Sequence, residues 1–198
     1  MKYEQFVLRC QALAKIGKKY SHDPYALENY EELEKISGEM LSELIGKETI
    51  NIFERDLYPT PSCSVRVLVF NQDDKLLMVQ EVQDGGYAVP GGWCEVFDSL
   101  VETAVKEVKQ ESGLDIEVIR LLAIFQRERY KDYPTVISEQ VHYFLAEVKG
   151  GELKNNHEIL SVTYQDYNNL PELSRKNSYR ELSEAINIAI NDLPVYCD

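Results

Sequence analysis

With 198 residues, 44% of them hydrophobic and 28% charged, the chain suits one large domain or a domain with a small appendage. Its 34 acidic and 21 basic residues leave a net charge of −13, which argues against broad nucleic-acid binding through counter-ion release. No apolar run approaches the ~18 residues of a membrane span, and "MKYEQFVLRC" lacks the features of a signal peptide, so a cytoplasmic protein without a membrane partner is expected. Cys10, Cys63, Cys94 and Cys197 form no C-x-x-C pair and read as reduced thiols.

The first sixty residues read as helical. "YEQFVLRCQALAKIGKKY" places Phe6, Val7, Cys10, Leu13, Ala14 and Ile16 at near-helical spacing. A second helix starts with Asp23 as N-cap and Pro24 in the first turn, carries an apolar stripe from Leu27 to Ile45, and stops at Gly46. "TINIFERDLY" suggests a third short helix before Pro59 and Pro61 break the chain. Beyond that break the pattern turns to strands. "SVRVLVF" and "KLLMVQEV" flank the hairpin-like turn "NQDD". "DIEVIRLLAIFQRERY" and "TVISEQVHYFLAEVKG" are two long β-rich runs, "ILSVTYQDY" is a further strand, and "SYRELSEAINIAINDL" is a closing amphipathic helix. The layout is an α+β domain, residues 61–198, behind a helical domain, residues 1–60.

The informative stretch is "GGWCEVFDSLVETAVKEVKQESGL", Gly91–Leu114. Ser99 and Glu102 form a capping box, and Gly113 supplies the C-terminal stop. Val101, Ala104, Val105 and Val108 share the face expected to be buried. Glu107 and Glu111 lie one turn apart on another face, roughly 6 Å between Cα atoms, with Gln110 beside them. Such a pair can be a solvated helix face. The preceding "VPGGW" favours another reading: glycines let backbone approach a phosphate or a metal, and hard divalent cations prefer oxygen ligands.

Gly92 through Leu114 resembles the Nudix box, G-x5-E-x7-R-E-U-x-E-E-x-G-U with U a bulky aliphatic. Gly92, Glu107, Val108, Glu111, Gly113 and Leu114 match it. Asp98, Lys106 and Gln110 depart from it: the first two keep the charge, whereas Gln110 loses a carboxylate. The helical opening "YSHDPYALENYEEL", then "YPTP", "VPGGW" and the ending "LPVYCD", are similar to Gram-positive Nudix hydrolases with a helical N-terminal domain, a group that includes ADP-ribose and CDP-choline pyrophosphatases.

The resemblance implies an α/β/α sandwich around a mixed sheet. It also implies metal-dependent hydrolysis of a nucleoside diphosphate linked to X, giving a nucleoside monophosphate and phospho-X. Glu107, Glu111, Gln110, Glu158 and the backbone of Gly92 become candidate ligands for Mg²⁺ or Mn²⁺. Glu107, Glu158 and Lys106 become candidate catalytic residues, with Lys106 either on phosphate or pairing an acid to orient the ligands. Glu139 is an alternative acid to Glu158. Gly91, Glu95, Arg127 and Arg129 are candidate substrate contacts. The helical domain needs a partner for its stripe, and a homodimer is expected. Two other readings stay open: a non-catalytic nucleotide sensor, favoured by Gln110, and an RNA-trimming hydrolase, disfavoured by the charge.

Overall fold

The computed structural model describes residues 2–46, 59–95, 97–132 and 135–198. Contacts divide the chain into two compact units, Met1–Pro61 with Lys131–Ser138, and Ser62–Tyr130 with Glu139–Asp198. The return of 131–138 to the helical unit is invisible in the sequence. The expected third helix, residues 49–58, lies outside the described residues.

In the helical unit, α1 (Tyr3–Tyr20) packs on α2 (Pro24–Ile45). Asp23 accepts a hydrogen bond from the Tyr25 N–H at 3.0 Å, and Gly46 ends α2 with φ 66°, as its sequence signals require. Gly17 leaves room for the Tyr30 ring, which an added Cβ would meet at 2.4 Å, and Lys18 pairs with Glu34 at 2.6 Å. The buried face of α1 is Val7, Leu8, Gln11, Ala12 and Ala14, rotated from the expected stripe, so that Phe6 and Leu13 are exposed.

The larger unit contains β1 (Ser62–Val69), β2 (Leu76–Glu81), β3 (Tyr87–Ala88), α3 (Leu100–Ser112), β4 (Leu114–Gln126), β5 (Glu139–Gly151), β6 (Ile159–Gln165), α4 (Tyr179–Ile190) and β7 (Tyr196–Cys197). A mixed sheet runs β1-β5-β4-β7, with β1 parallel to β5, β5 antiparallel to β4, and β4 parallel to β7. A second, antiparallel sheet runs β3-β2-β6. Val65, Val67 and Val69 of β1 pack with Ala104 and Val108 of α3. Leu68, between them, packs in the other core with Leu182, Ala185 and Ile186 of α4. The mixed sheet is thus the middle layer between two helices, and its buried strands read as near-continuous apolar runs.

The "NQDD" turn forms as expected: Asn71 N–H donates to the Lys75 carbonyl at 3.0 Å, and Asn71 Oδ1 accepts from Asp73 and Lys75. It does not close a hairpin. Beyond the single Phe70–Leu76 bridge, β1 and β2 diverge into different sheets, because each finds a longer partner in β5 and β6.

In α3, Ser99 Oγ accepts from Glu102 N–H at 3.2 Å while the Glu102 carboxylate accepts from Ser99 N–H at 2.8 Å. Gly113 ends the helix at φ 78°. Leu100, Ala104 and Val108 face the core, and Glu111 continues that stripe. Val101, expected to be buried, is exposed.

Just before this helix, Phe97 has φ 75° and is fully exposed, the third residue of a turn closed by Asp98 N–H to the Glu95 carbonyl at 3.2 Å. Glycine normally supplies that conformation. Phe97→Gly is expected to stabilise the protein by about 0.5–1 kcal/mol, the relieved side-chain strain exceeding the entropy cost of glycine. Thermal melting would register this as a rise of about 1–4 °C, and a fall would show that the phenyl ring contributes packing.

Candidate active site

The chain leaves β3 through Val89 and Pro90 and runs antiparallel along β1. Val67 N–H donates to the Pro90 carbonyl, Val65 N–H to the Gly92 carbonyl, and Cys94 N–H to the Cys63 carbonyl, at 2.9, 2.9 and 3.0 Å. Gly91 sits at φ 148°, so close to β1 that an added Cβ would lie 2.1 Å from the Val65 carbonyl oxygen. Its N–H donates to Glu111 Oε2 at 2.9 Å. A Cβ on Gly92 would lie 2.6 Å from Glu107 Oε1. The two glycines therefore bring bare backbone against both carboxylates of the α3 ridge. The Gly92 carbonyl oxygen accepts the hydrogen bond from Val65, which occupies one of its two lone pairs, and Gly92 also offers the absence of a side chain beside Glu107.

Lys176, before α4, reaches into the same place. Its ammonium lies 2.8 Å from Glu81 Oε1, at the end of β2, and 3.1 Å from Glu111 Oε1. Burial disfavours the ammonium, but the charges of Glu111 and Glu81 more than offset this and hold its pKa above the ordinary 10.5. Burial raises the pKa of Glu81, an effect that Lys176 opposes. Burial, followed by the charge of Glu111, raises that of Glu107.

The segment carrying Lys176 is clamped. Ser174 N–H donates to the Tyr87 carbonyl at 2.8 Å, and Asp84 accepts from Ser174 Oγ and Arg175 N–H at 3.1 and 2.9 Å. Asn177 bonds Val89 N–H at 3.1 Å and Tyr143 Oη at 2.7 Å. Arg127 donates to the Arg175 and Lys176 carbonyls, and Arg66 to the Lys176 carbonyl at 3.5 Å. Arg127 also pairs with Glu139 at 2.7 Å, which accepts from Ser64 Oγ at 2.5 Å. Glu181, at the start of α4, is fully buried, with no hydrogen-bond partner for either oxygen among the described residues. Burial raises its pKa, partly offset by Arg127 and Arg66. Arg127, expected on substrate, is thus a buried positioning residue: its fork is committed to Glu139 and two carbonyls. Glu139 is likewise committed.

Other expected site residues lie elsewhere. Lys106 pairs with Glu95 at 2.6 Å and Asp98 at 3.5 Å, the acid-pairing arrangement rather than a free cation. Glu95 is exposed in that pair. Gln110 is exposed beside a groove lined by Lys109, Gly113 and residues 151–156, about 100° around the helix from Glu111 and one turn from Glu107. Glu158 is exposed, its N–H held by Asn156 Oδ1 at 2.8 Å and its carboxylate 3.9 Å from His157. Among the described residues no group of three or more acids, histidines or cysteines is set to hold a metal ion by itself. Arg129 is exposed, 4.0 Å from Asp198.

Residues 60–186 match the NUDIX domain family. The chain belongs to the Nudix family. Residues 2–52 match a UDP-X-like N-terminal oligomerisation domain. The Nudix chain is 33% identical over 180 residues to YjhB of Bacillus subtilis (strain 168), a protein named provisionally as an ADP-ribose pyrophosphatase; the match covers 88% of this chain and 86% of that one. It is 32% identical to the ADP-ribose pyrophosphatase of Methanocaldococcus jannaschii over 60% of this chain and 69% of that one. The solved ADP-ribose pyrophosphatase of Streptococcus suis 89-1591 is 32% identical with TM-score 0.63, over 70% of this chain and all of that one. A UDP-X diphosphatase structure is 26% identical with TM-score 0.64, over 98% and 97%. This Nudix protein is a pyrophosphohydrolase. Among the described residues no helix is long and apolar enough to cross a membrane.

Nudix hydrolases generally use divalent cations, and the donor set here is compatible with one. Magnesium is commonly held by one or two carboxylates, with waters and substrate phosphates filling its other positions, so a complete protein cage is not required. Glu107 and Glu111 supply such carboxylates, and Glu81 is joined to Glu111 through Lys176. Glu81 and Lys176 escaped the sequence reading, as did Arg66. A usable signal existed: Glu81 shares alternation with Leu77 and Val79, and Arg66 interrupts the valines of β1, each a charge in a core-facing run. Lys176 carries no such signal.

Proposed function

We propose that this Nudix enzyme hydrolyses the diphosphate bond of a nucleoside diphosphate linked to X, of the ADP-ribose, CDP-choline or UDP-sugar kind, releasing a nucleoside monophosphate and phospho-X. The observation that supports this most is the seating of Glu107 and Glu111 against the bare backbone of Gly92 and Gly91. A divalent cation, Mg²⁺ or Mn²⁺, held by these carboxylates would supply charge against the diphosphate and acidity to an attacking water. Glu111 is fixed by Gly91 N–H and Lys176, so its geometry is set before substrate arrives. Burial raises the pKa of Glu107, and a bound cation would oppose that shift and keep the carboxylate ionised. Lys106 steadies the entry to α3 through Glu95 and Asp98. The protein is read as a cytoplasmic homodimer, with the exposed Phe6, Leu13, Ile36 and Leu44 of α1 and α2 as the apolar surface to cover.

The test is phosphate release from a panel of nucleoside diphosphate-X compounds, with excess phosphatase and Mg²⁺ or Mn²⁺. Turnover of at least one such compound, abolished by EDTA, is expected. Ligand-dependent melting shifts with no turnover of any member would replace this reading with that of a nucleotide sensor.

A further inference from the structure

We propose that Lys176 is an exchangeable counter-ion: its ammonium holds the Glu81–Glu111 pair in the metal-free enzyme, yields that pair to the incoming divalent cation, and then faces the substrate diphosphate. This rests on the metal-dependent reading above. Three features carry it.

The first is position. One ammonium bridges two buried carboxylates from β2 and α3, at 2.8 and 3.1 Å, and Glu111 is an acid assigned to the metal. A lysine and a divalent cation cannot share those oxygens without strong repulsion.

The second is mechanical. The backbone around Lys176 is fixed by Arg66, Arg127, Asp84 and Asn177, as described above. Only the four-carbon stem is left to move, and the side chain is 31% exposed, unlike the 6% of Arg127. A lysine has three rotatable donors and no planar fork to unlock, which suits exchange between partners.

The third is charge. Glu81, Glu107 and Glu111 are near one another in the electrostatics of the site, and Lys176 is the cation in direct contact with two of them. One positive charge leaves these acids under-neutralised. A dication alone neutralises the Glu81–Glu111 pair, whereas dication and ammonium on the same oxygens would leave an excess positive charge there, so its arrival favours departure of the lysine. The ammonium then meets a second anion at the same mouth, the diphosphate that the cation recruits.

The test uses Mn²⁺ alone, followed by electron paramagnetic resonance of the free ion, on the full-length protein. Lys176→Met is expected to bind Mn²⁺ at least about fivefold more tightly than wild type, and Lys176→Arg to stay nearer wild type. With Mn²⁺ saturating, Lys176→Met is expected to bind AMP at least about fivefold more weakly. Because the methionine variant leaves two acids without their cation, wild type is also footprinted by reductive methylation and mass spectrometry. Lys176 is expected to react faster in Mn²⁺ than in EDTA. Equal or weaker Mn²⁺ binding by Lys176→Met, or an unchanged methylation rate, overturns the exchange while leaving the metal-dependent reading intact. Absence of Mn²⁺ binding by wild type overturns both.

Discussion

Glu107→Gln and Glu111→Gln are each expected to lower kcat/KM by at least about 10²–10³-fold, yet to move thermal stability in opposite directions. Glu111 receives charge-assisted hydrogen bonds from Gly91 N–H and Lys176. Weakening them costs about 2 kcal/mol, or about 4–8 °C in Tm for a chain of this size. Glu107 is half-buried and placed against the uncharged backbone of Gly92, with Glu111 raising its pKa further. Its ionised form opposes folding, so Glu107→Gln is expected to hold or raise Tm. The pH dependence has a definite sign. An acid whose folded pKa lies above its unfolded value destabilises the fold only when ionised; the penalty is absent below the unfolded value and complete above the folded one. In EDTA, the Tm advantage of Glu107→Gln should be greatest at neutral pH and vanish as pH falls toward the ordinary value of 4.5. Equal losses of Tm in both variants would contradict the asymmetry.

Gly91→Ala and Gly92→Ala, one residue apart, are expected to fail differently. At Gly91 the new Cβ would meet backbone, 2.1 Å from the Val65 oxygen and 2.9 Å from Arg66 Cα, at φ 148°. Neither β1 nor the turn can yield without breaking the Val65 and Val67 hydrogen bonds. A loss of about 3–5 kcal/mol is expected, about 6–20 °C in Tm. At Gly92 the Cβ would meet only the Glu107 carboxylate, the end of a flexible chain. That carboxylate can swing aside, so Tm should fall little while kcat/KM drops about 100-fold through displacement of a reacting group. Calorimetry and a steady-state assay on the two purified variants would separate the effects. A Gly92→Ala enzyme of normal activity would remove Glu107 from the chemistry.

The contrast between these residues also explains what could be read from sequence. Local chemistry was legible: Asp23 with Pro24, the Ser99–Glu102 box, and the stops at Gly46 and Gly113 all act within one helical turn. The long strands and closing helix were legible from periodicity, and the glycines with Glu107 and Glu111 from their spacing. Partner choice was not. Nothing local tells β1 to leave β2 for β5, since β2 and β5 both offer β1 a largely buried strand with a predominantly apolar centre. Glu81 and Lys176 are brought together by folding across β6 and the loop before α4, and neither residue type is diagnostic alone. Arg127 looked available because it ends a strand; the burial that commits it to Glu139 is a tertiary fact.

The buried quartet under the Lys176 loop constrains how this lineage can vary. Arg127 and Glu139 are in contact, with Arg66 and Glu181 beside them, so a neutral replacement of either partner of that pair strands a charge away from water, at about 3–5 kcal/mol. Drift at these four positions should therefore proceed in opposite-sign couples, and a relative that lacks one arginine should also lack an acid. Such paired loss would leave the fold sound while releasing the carbonyls that aim the lysine.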